Sequence, residues 1–213
     1  MDKNIMGKYS HVIWDWNGTL LDDVELCLSV INTLLAERNL PLLKDIHAYR
    51  EIFGFPVIDY YRRAGFDFDK EPFEIPAARF IELYHSDNSR FKLHDGAAHI
   101  LSRLDAMGLR QVILSASEIN NLRSQIALFD IEPYLEAILG ISDIYAGSKV
   151  DIGQKYIARG CIGKAVIIGD TVHDHEVAQA LGADCILVAN GHQPKHKLLG
   201  CGVPVFDTLS DII

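Results

Sequence analysis

The sequence has no long apolar run. None of its hydrophobic stretches approaches the roughly 18 residues that a membrane-spanning helix needs. Its opening, MDKNIMGKYS, lacks the apolar stretch of an export signal, so the expectation is a cytoplasmic protein with no membrane partner. Basic charge is also short. Twenty Lys and Arg stand against 29 Asp and Glu, a formal net charge of −9, which argues against general affinity for nucleic acid or an anionic membrane surface. Cysteine is scarce too. Cys27, Cys161, Cys185 and Cys201 form no CxxC pair and mostly sit among apolar neighbours, a pattern of reduced, partly buried thiols rather than of a disulfide framework. There is no internal repeat and no low-complexity stretch.

What is present suits a globular enzyme. The 213 residues are 49% hydrophobic and 23% charged, enough for one large domain or a core with a smaller insert. YSHVIW reads as a short buried strand, and the polar run DWNGT follows it directly. From Asp22 to Asn39, apolar residues at Val24, Leu28, Ile31, Leu34 and Leu35 recur at helical spacing, with Asp22 or Asp23 placed to cap the start. Further helical stretches follow at 42–52, 57–64 and 72–87, broken by FGFP and AGFDFDKEP. No strand is expected between residues 22 and 92.

Beyond that insertion the rhythm becomes regular. DGAAHILSRLDAMG reads as a helix closed by Gly108, RQVILS as a strand, and SEINNLRSQIALFD as a helix with Ser117 as its cap. EAILG, KAVIIGD, CILVAN and VPVF read as strands, separated by the helices KVDIGQKYIARG and HDHEVAQALG. Such alternation implies an α/β fold with a doubly wound parallel sheet, formed by residues 1–21 and 93–213, with 22–92 inserted as an all-helical unit. Ligands of these sheets bind at the carboxyl ends of the strands. That rule selects Asp15 and Asn17, Ser115 and Ser117, the turn before Lys149, and Asp170 with Asp174.

Singly, each has an ordinary explanation: a turn, a local hydrogen bond, a solvated lysine, a helix cap. Together they have the chemistry of phosphoryl transfer. A carboxylate such as Asp15 can attack phosphorus, splitting one hard displacement into two easier ones. Two anions must then meet, so cations are required: Mg²⁺ on oxygen ligands, and a lysine. Asp15, Asp170 and the backbone carbonyl of Asn17 suit the metal, and Asp174 can complete the set. Lys149 would offset charge on Asp15, and Ser115 would donate a hydrogen bond to a phosphoryl oxygen.

DWNGTLLD, the serine of VILSAS, Lys149 after AGS, and IIGDTVHD resemble, in order, the four motifs of the haloacid dehalogenase superfamily. The insertion is similar to the helical cap of its phosphoglycolate-phosphatase-like branch. The resemblance implies Asp15 as nucleophile, Ser115 as phosphate binder, Lys149 as the neutralising cation, and Asp170 with Asp174 as metal-site acids. Gly18, Thr19 and Ala116 fall in the same phosphate-facing stretches. It further implies Mg²⁺ as cofactor and a small phosphorylated metabolite as partner.

Three positions depart from the pattern. The lysine motif reads SKVDIG where prolines are usual, Ala116 stands where a polar residue is common, and Asn17 replaces an acid. In such phosphatases the second Asp of the first motif protonates the leaving alcohol and then helps deprotonate water. That assistance is worth about 10²–10⁴-fold. The expectation is therefore a slow Mg²⁺-dependent phosphatase, least impaired on acyl or aryl phosphates, whose turnover of alkyl phosphates rises in Asn17→Asp. His173, in the fourth-motif loop beside Asp170, and His192, after the next strand, are the groups that could substitute for the acid, and both also suit solvent-facing loops. His173 and His175, two apart, face different sides of a helix, which argues against zinc. The Asn17–Gly18 step could also deamidate to an acid. In the insertion, REIFGFP is the loop expected over the site, with Arg50 toward an anionic substrate. Competing readings are a phosphomutase, a metal-free dehalogenase, and a phosphate-binding regulatory protein that has lost catalysis.

Overall fold

The computed structural model describes residues 5–142, 149–160 and 163–213. Six strands form one parallel sheet: β1 His11–Trp14, β2 Arg110–Glu118, β3 Ala137–Ile141, β4 Ala165–Gly169, β5 Asp184–Val188 and β6 Val205–Phe206. Their order is β3-β2-β1-β4-β5-β6, so the chain starts in the middle and winds outward in both directions. β1 is central and therefore buried on both faces, and His11 to Trp14 are all buried. Its side chains alternate. Val12 and Trp14 join one core layer with Ile113, Val166 and Ile168. Ile13 joins the other with Leu114, Ile167 and Leu187.

Nine α-helices and four short 3-10 helices complete the described elements. α1 (Val24–Glu37), α2 (Ile46–Ile52), α3 (Val57–Ala64) and α4 (Glu74–Tyr84) all lie between β1 and β2. The chain leaves and returns at one place, where Leu21 bridges Leu93 and the Asp22 N–H donates to the Lys92 carbonyl. α5 (Ala97–Ala106), α6 (Ile119–Ile126), α7 (Val150–Ala158), α8 (Val172–Leu181) and α9 (Lys195–Leu199) cross between strands. Gly108 takes a left-handed φ of 79° after α5, as a helix-closing glycine does.

Four local expectations change. The helix expected from 42 starts at Ile46, because the Asp45 carboxylate caps it by accepting the Ala48 N–H at 2.9 Å. Ser117 does not cap α6. Glu118 does, accepting from the N–H groups of Asn120 and Asn121. β2 runs three residues beyond Ser115, because Glu118 still pairs with Ile141 across a register shift. Asp23 stands at the N-cap position of α1 yet makes no capping bond. Its carboxylate is turned elsewhere.

Candidate active site

The ends of β1 and β4 lie side by side, so Asp15 and Asp170 emerge together. The Asp15 N–H still donates to the Ile168 carbonyl at 2.9 Å, which carries the ladder one step past the strand and fixes where the side chain leaves. Thr171 and Asp174 form a reciprocal cap at the start of α8: the Thr171 N–H and hydroxyl donate to Asp174 Oδ2 at 3.0 and 2.7 Å. That leaves Asp174 Oδ1 for Lys149, whose Nζ donates to it at 2.7 Å and to Asp15 Oδ1 at 2.5 Å. The Thr19 hydroxyl donates to Asp170 Oδ1 at 2.9 Å, and the His192 N–H to Oδ2 at 2.6 Å. A carboxylate oxygen from each of Asp15, Asp170 and Asp174 lies within 4.8 Å of the others. Glycine makes this closeness feasible. A β-carbon at Gly18 or Gly191 would collide with the Asp170 carboxylate, and Gly18 also holds a φ of 76°.

Charge is unevenly balanced. Burial, then Asp174, push the Asp15 carboxyl up to about 8 against the pull of Lys149. Burial also raises Asp170, to about 6, although His192 opposes it. Burial alone would discharge Lys149; Asp15 and Asp174 more than reverse that and keep its ammonium charged. Four carboxyl groups (Asp15, Asp23, Asp170 and Asp174) are thus buried with two cations, Lys149 and His192, and Asp15 keeps its proton near neutrality for want of a third. This donor set of hard oxygens, short of positive charge, fits a divalent cation such as Mg²⁺.

Asn17 sits in a second network. Its Nδ2 donates to Asp23 Oδ2 and to the Tyr84 hydroxyl, both at 2.9 Å, and its Oδ1 accepts from Ser117 Oγ at 2.8 Å. Asp23 also accepts from Tyr84 at 2.6 Å and from the Gly18 N–H at 2.9 Å, and its Oδ1 lies 3.1 Å from His192 Nε2. Burial opposes ionisation of Asp23, but His192, Tyr84 and Asn17 outweigh it and hold the group at about 2. Burial would likewise lower His192; Asp23 first, then Asp170 and Asp15, raise it to about 9. The network wants an amide at 17, since an amide both donates to the Asp23 carboxylate and accepts from Ser117. It also holds the Asn17 side chain at both ends and engages the Gly18 N–H, which opposes the cyclisation needed for deamidation.

A cavity of about 180 Å³ opens on Asp15, Asn17, Ser115, Ala116 and Lys149. Arg50 does not line it. Its guanidinium is taken up by the carbonyls of Gly191 and Asn190, both at 2.7 Å. The FGFP loop does reach the cavity, but through Phe53, stacked on His192 at 4.7 Å, and Phe55, stacked on His173 at 4.4 Å. His173 also pairs with Glu176, and neither it nor His175 belongs to a metal-capable cluster among the described residues. The turn before Lys149 lies outside the described residues. Asp23, Tyr84 and Ser117 were not assigned these roles from sequence. For Asp23 the one signal was the acidic doublet at 22–23, which reads equally well as a helix cap.

A family model for haloacid dehalogenase-like hydrolases matches residues 12–188. The chain belongs to the haloacid dehalogenase-like hydrolase family. Among curated relatives of this hydrolase, a phosphoglycolate phosphatase of Caulobacter vibrioides is 28% identical over 196 residues, covering 85% of this chain and 79% of that protein. The tyrosine-protein kinase PtkA of Mycobacterium tuberculosis is 29% identical over 189 residues, covering 85% of this chain and 62% of its own length. The solved PtkA structure superposes with a TM-score of 0.80 at 25% identity, covering 96% of both chains. The structure of a predicted phosphatase from Clostridium acetobutylicum gives 0.76 at 21% identity, again over 96% of each, and supports the fold of the hydrolase.

Proposed function

We propose that this hydrolase cleaves small phosphate monoesters with Mg²⁺ through an aspartyl-phosphate intermediate, and that residues 22–92 act as a cap over a core of 1–21 and 93–213. The observation that carries the reading is the charge balance: four buried carboxyl groups against two buried cations, with three of those groups converging beside Lys149 and Asp15 held protonated near neutrality. Asp15, Asp170, the backbone carbonyl of Asn17 and Asp174 would hold the metal, which when bound offsets charge on the phosphoryl group and on Asp15.

Asp15 is the group placed to attack. Its carboxylate oxygen bonds to phosphorus as the ester oxygen departs with the bonding pair. Lys149, fixed by Asp15 and Asp174, holds the attacking carboxylate and offsets the charge that builds up. Ser115 and Ala116 line the cavity beside Asp15 and are placed to hold the phosphoryl oxygens. Water then attacks phosphorus, releasing inorganic phosphate and freeing Asp15. Asn17 supplies no proton in the first half and accepts none in the second, so hydrolysis is slow wherever the leaving group needs an acid.

Phosphate release from a panel of esters, in Mg²⁺ and in EDTA, tests this. Activity should require Mg²⁺ and vanish in Asp15→Asn. Absence of release from every ester with the metal present would sink it. A second reading, transfer of the phosphoryl group to an acceptor hydroxyl, is favoured by Asn17, because a phosphoenzyme without a base to activate water persists longer. Faster loss of phosphoenzyme on adding an alcohol acceptor would show it.

A further inference from the structure

We infer that the cavity takes an uncharged aromatic leaving group, so that the substrates are aryl phosphate monoesters; this rests on the phosphatase reading and narrows it. The insertion closes the cavity with the rings of Phe53, Tyr60, Tyr61, Phe73 and Phe80. A volume of about 180 Å³ accommodates one six-membered ring, since an apolar cavity of about 150 Å³ already takes benzene.

No cation of the insertion reaches this space. None of its Arg or Lys side chains lines the cavity. Arg50 is bound to carbonyls 190 and 191, Arg62 to Asp59, Arg63 to the Ile52 carbonyl, and Arg79 to Glu37 and Glu82. His85 does line it, but burial holds that imidazole below its ordinary value, so it is neutral at pH 7. Lys149 and His192 are already paired with Asp15, Asp174 and Asp23. Glu118 adds a carboxylate to the lining. A leaving group with its own carboxylate, as in phosphoglycolate, would be desolvated here with no unpaired cation to meet it.

The chemistry at the phosphate end agrees. A phenolate, with a conjugate acid near pKa 10, leaves without the proton that Asn17 lacks.

Two arms test the inference, one by binding and one by turnover. In Mg²⁺, calorimetry should show phenylphosphonate, which cannot be hydrolysed, binding at least about tenfold tighter than methylphosphonate, and Phe80→Ala should remove most of that advantage. In steady-state assays, kcat/KM for phenyl phosphate should exceed that for phosphoglycolate by at least about 100-fold. Equal affinity for the two phosphonates, or phosphoglycolate used as well as phenyl phosphate, would overturn the inference. Acetyl phosphate, whose leaving group needs neither the ring site nor an acid, reports on Asp15 alone. Its hydrolysis alongside equal phosphonate binding would discard the aromatic site and leave the phosphatase reading standing. Inertness toward every ester would discard that reading and the aryl substrates with it.

Discussion

At the scale of the residue, the structure changes what Asn17→Asp should do. From sequence alone, restoring an acid at 17 promises faster turnover of alkyl phosphates. The amide nitrogen of Asn17, however, lies 2.9 Å from the Asp23 carboxylate. A carboxyl group there would face a like charge, and close like charges push one group's pKa strongly upward. The new acid would stay protonated and tied to Asp23, able neither to reach the leaving oxygen nor to accept a proton from water. We therefore expect Asn17→Asp alone to leave alkyl phosphate turnover nearly unchanged. Asn17→Asp combined with Asp23→Asn should raise it by about 10²-fold, the lower end of what general acid–base assistance supplies. Steady-state kinetics on ethyl phosphate for both variants and for Asp23→Asn decide it; a large gain in the single variant would refute the blocking role of Asp23.

At the scale of the element, α6 offers a direct check on capping. Glu118→Ala removes the side chain that accepts from two free N–H groups of the first turn and should cost about 1 kcal/mol. Ser117→Ala, which deletes the cap expected from sequence, should leave α6 intact and instead release Asn17 Oδ1. Urea unfolding of the two variants separates them. The contrast shows where sequence reading succeeds. Strands β1, β4 and β5 are legible because burial on both faces writes a continuous apolar run. Helix α3 is legible because Pro56 starts it and Gly65 ends it. The end of β2 is not legible, since SASE has neither apolar alternation nor β-branched residues; only its neighbour Ile141 makes it strand. The same holds in the site. Asp15, Ser115, Lys149 and Asp170 stand at strand ends or helix starts that a parallel sheet must bring together. Asp23 takes its role from Tyr84 and His192, partners far along the chain that no local pattern announces.

At the scale of the whole molecule, those distant partners tie the insertion to the last third of the chain through charge. In metal-free protein the Asp23–His192 pair should make stability depend on pH in a defined way. His192 is raised from 6.5 to about 9, so its contribution is complete below pH 6.5 and is lost as pH rises through 9. Asp23 is lowered from 3.8 to about 2, so its contribution is complete above pH 3.8 and is lost as pH falls through 2. His192→Gln should accordingly destabilise the protein more at pH 6 than at pH 10, read from urea midpoints in EDTA. The uncompensated carboxylates make a further demand on the native state. A cation that binds only the folded chain stabilises it by about 2.7 kcal/mol at a hundredfold excess over its Kd. For a chain of this length that raises the thermal midpoint by about 5–10 °C. Asp170→Asn removes one of the three converging charges, and the shift with Mg²⁺ should then fall to a small fraction of that of the unaltered protein. An equal shift in both proteins would mean that Mg²⁺ binds elsewhere, and the carboxylates at 15, 170 and 174 would need another source of positive charge.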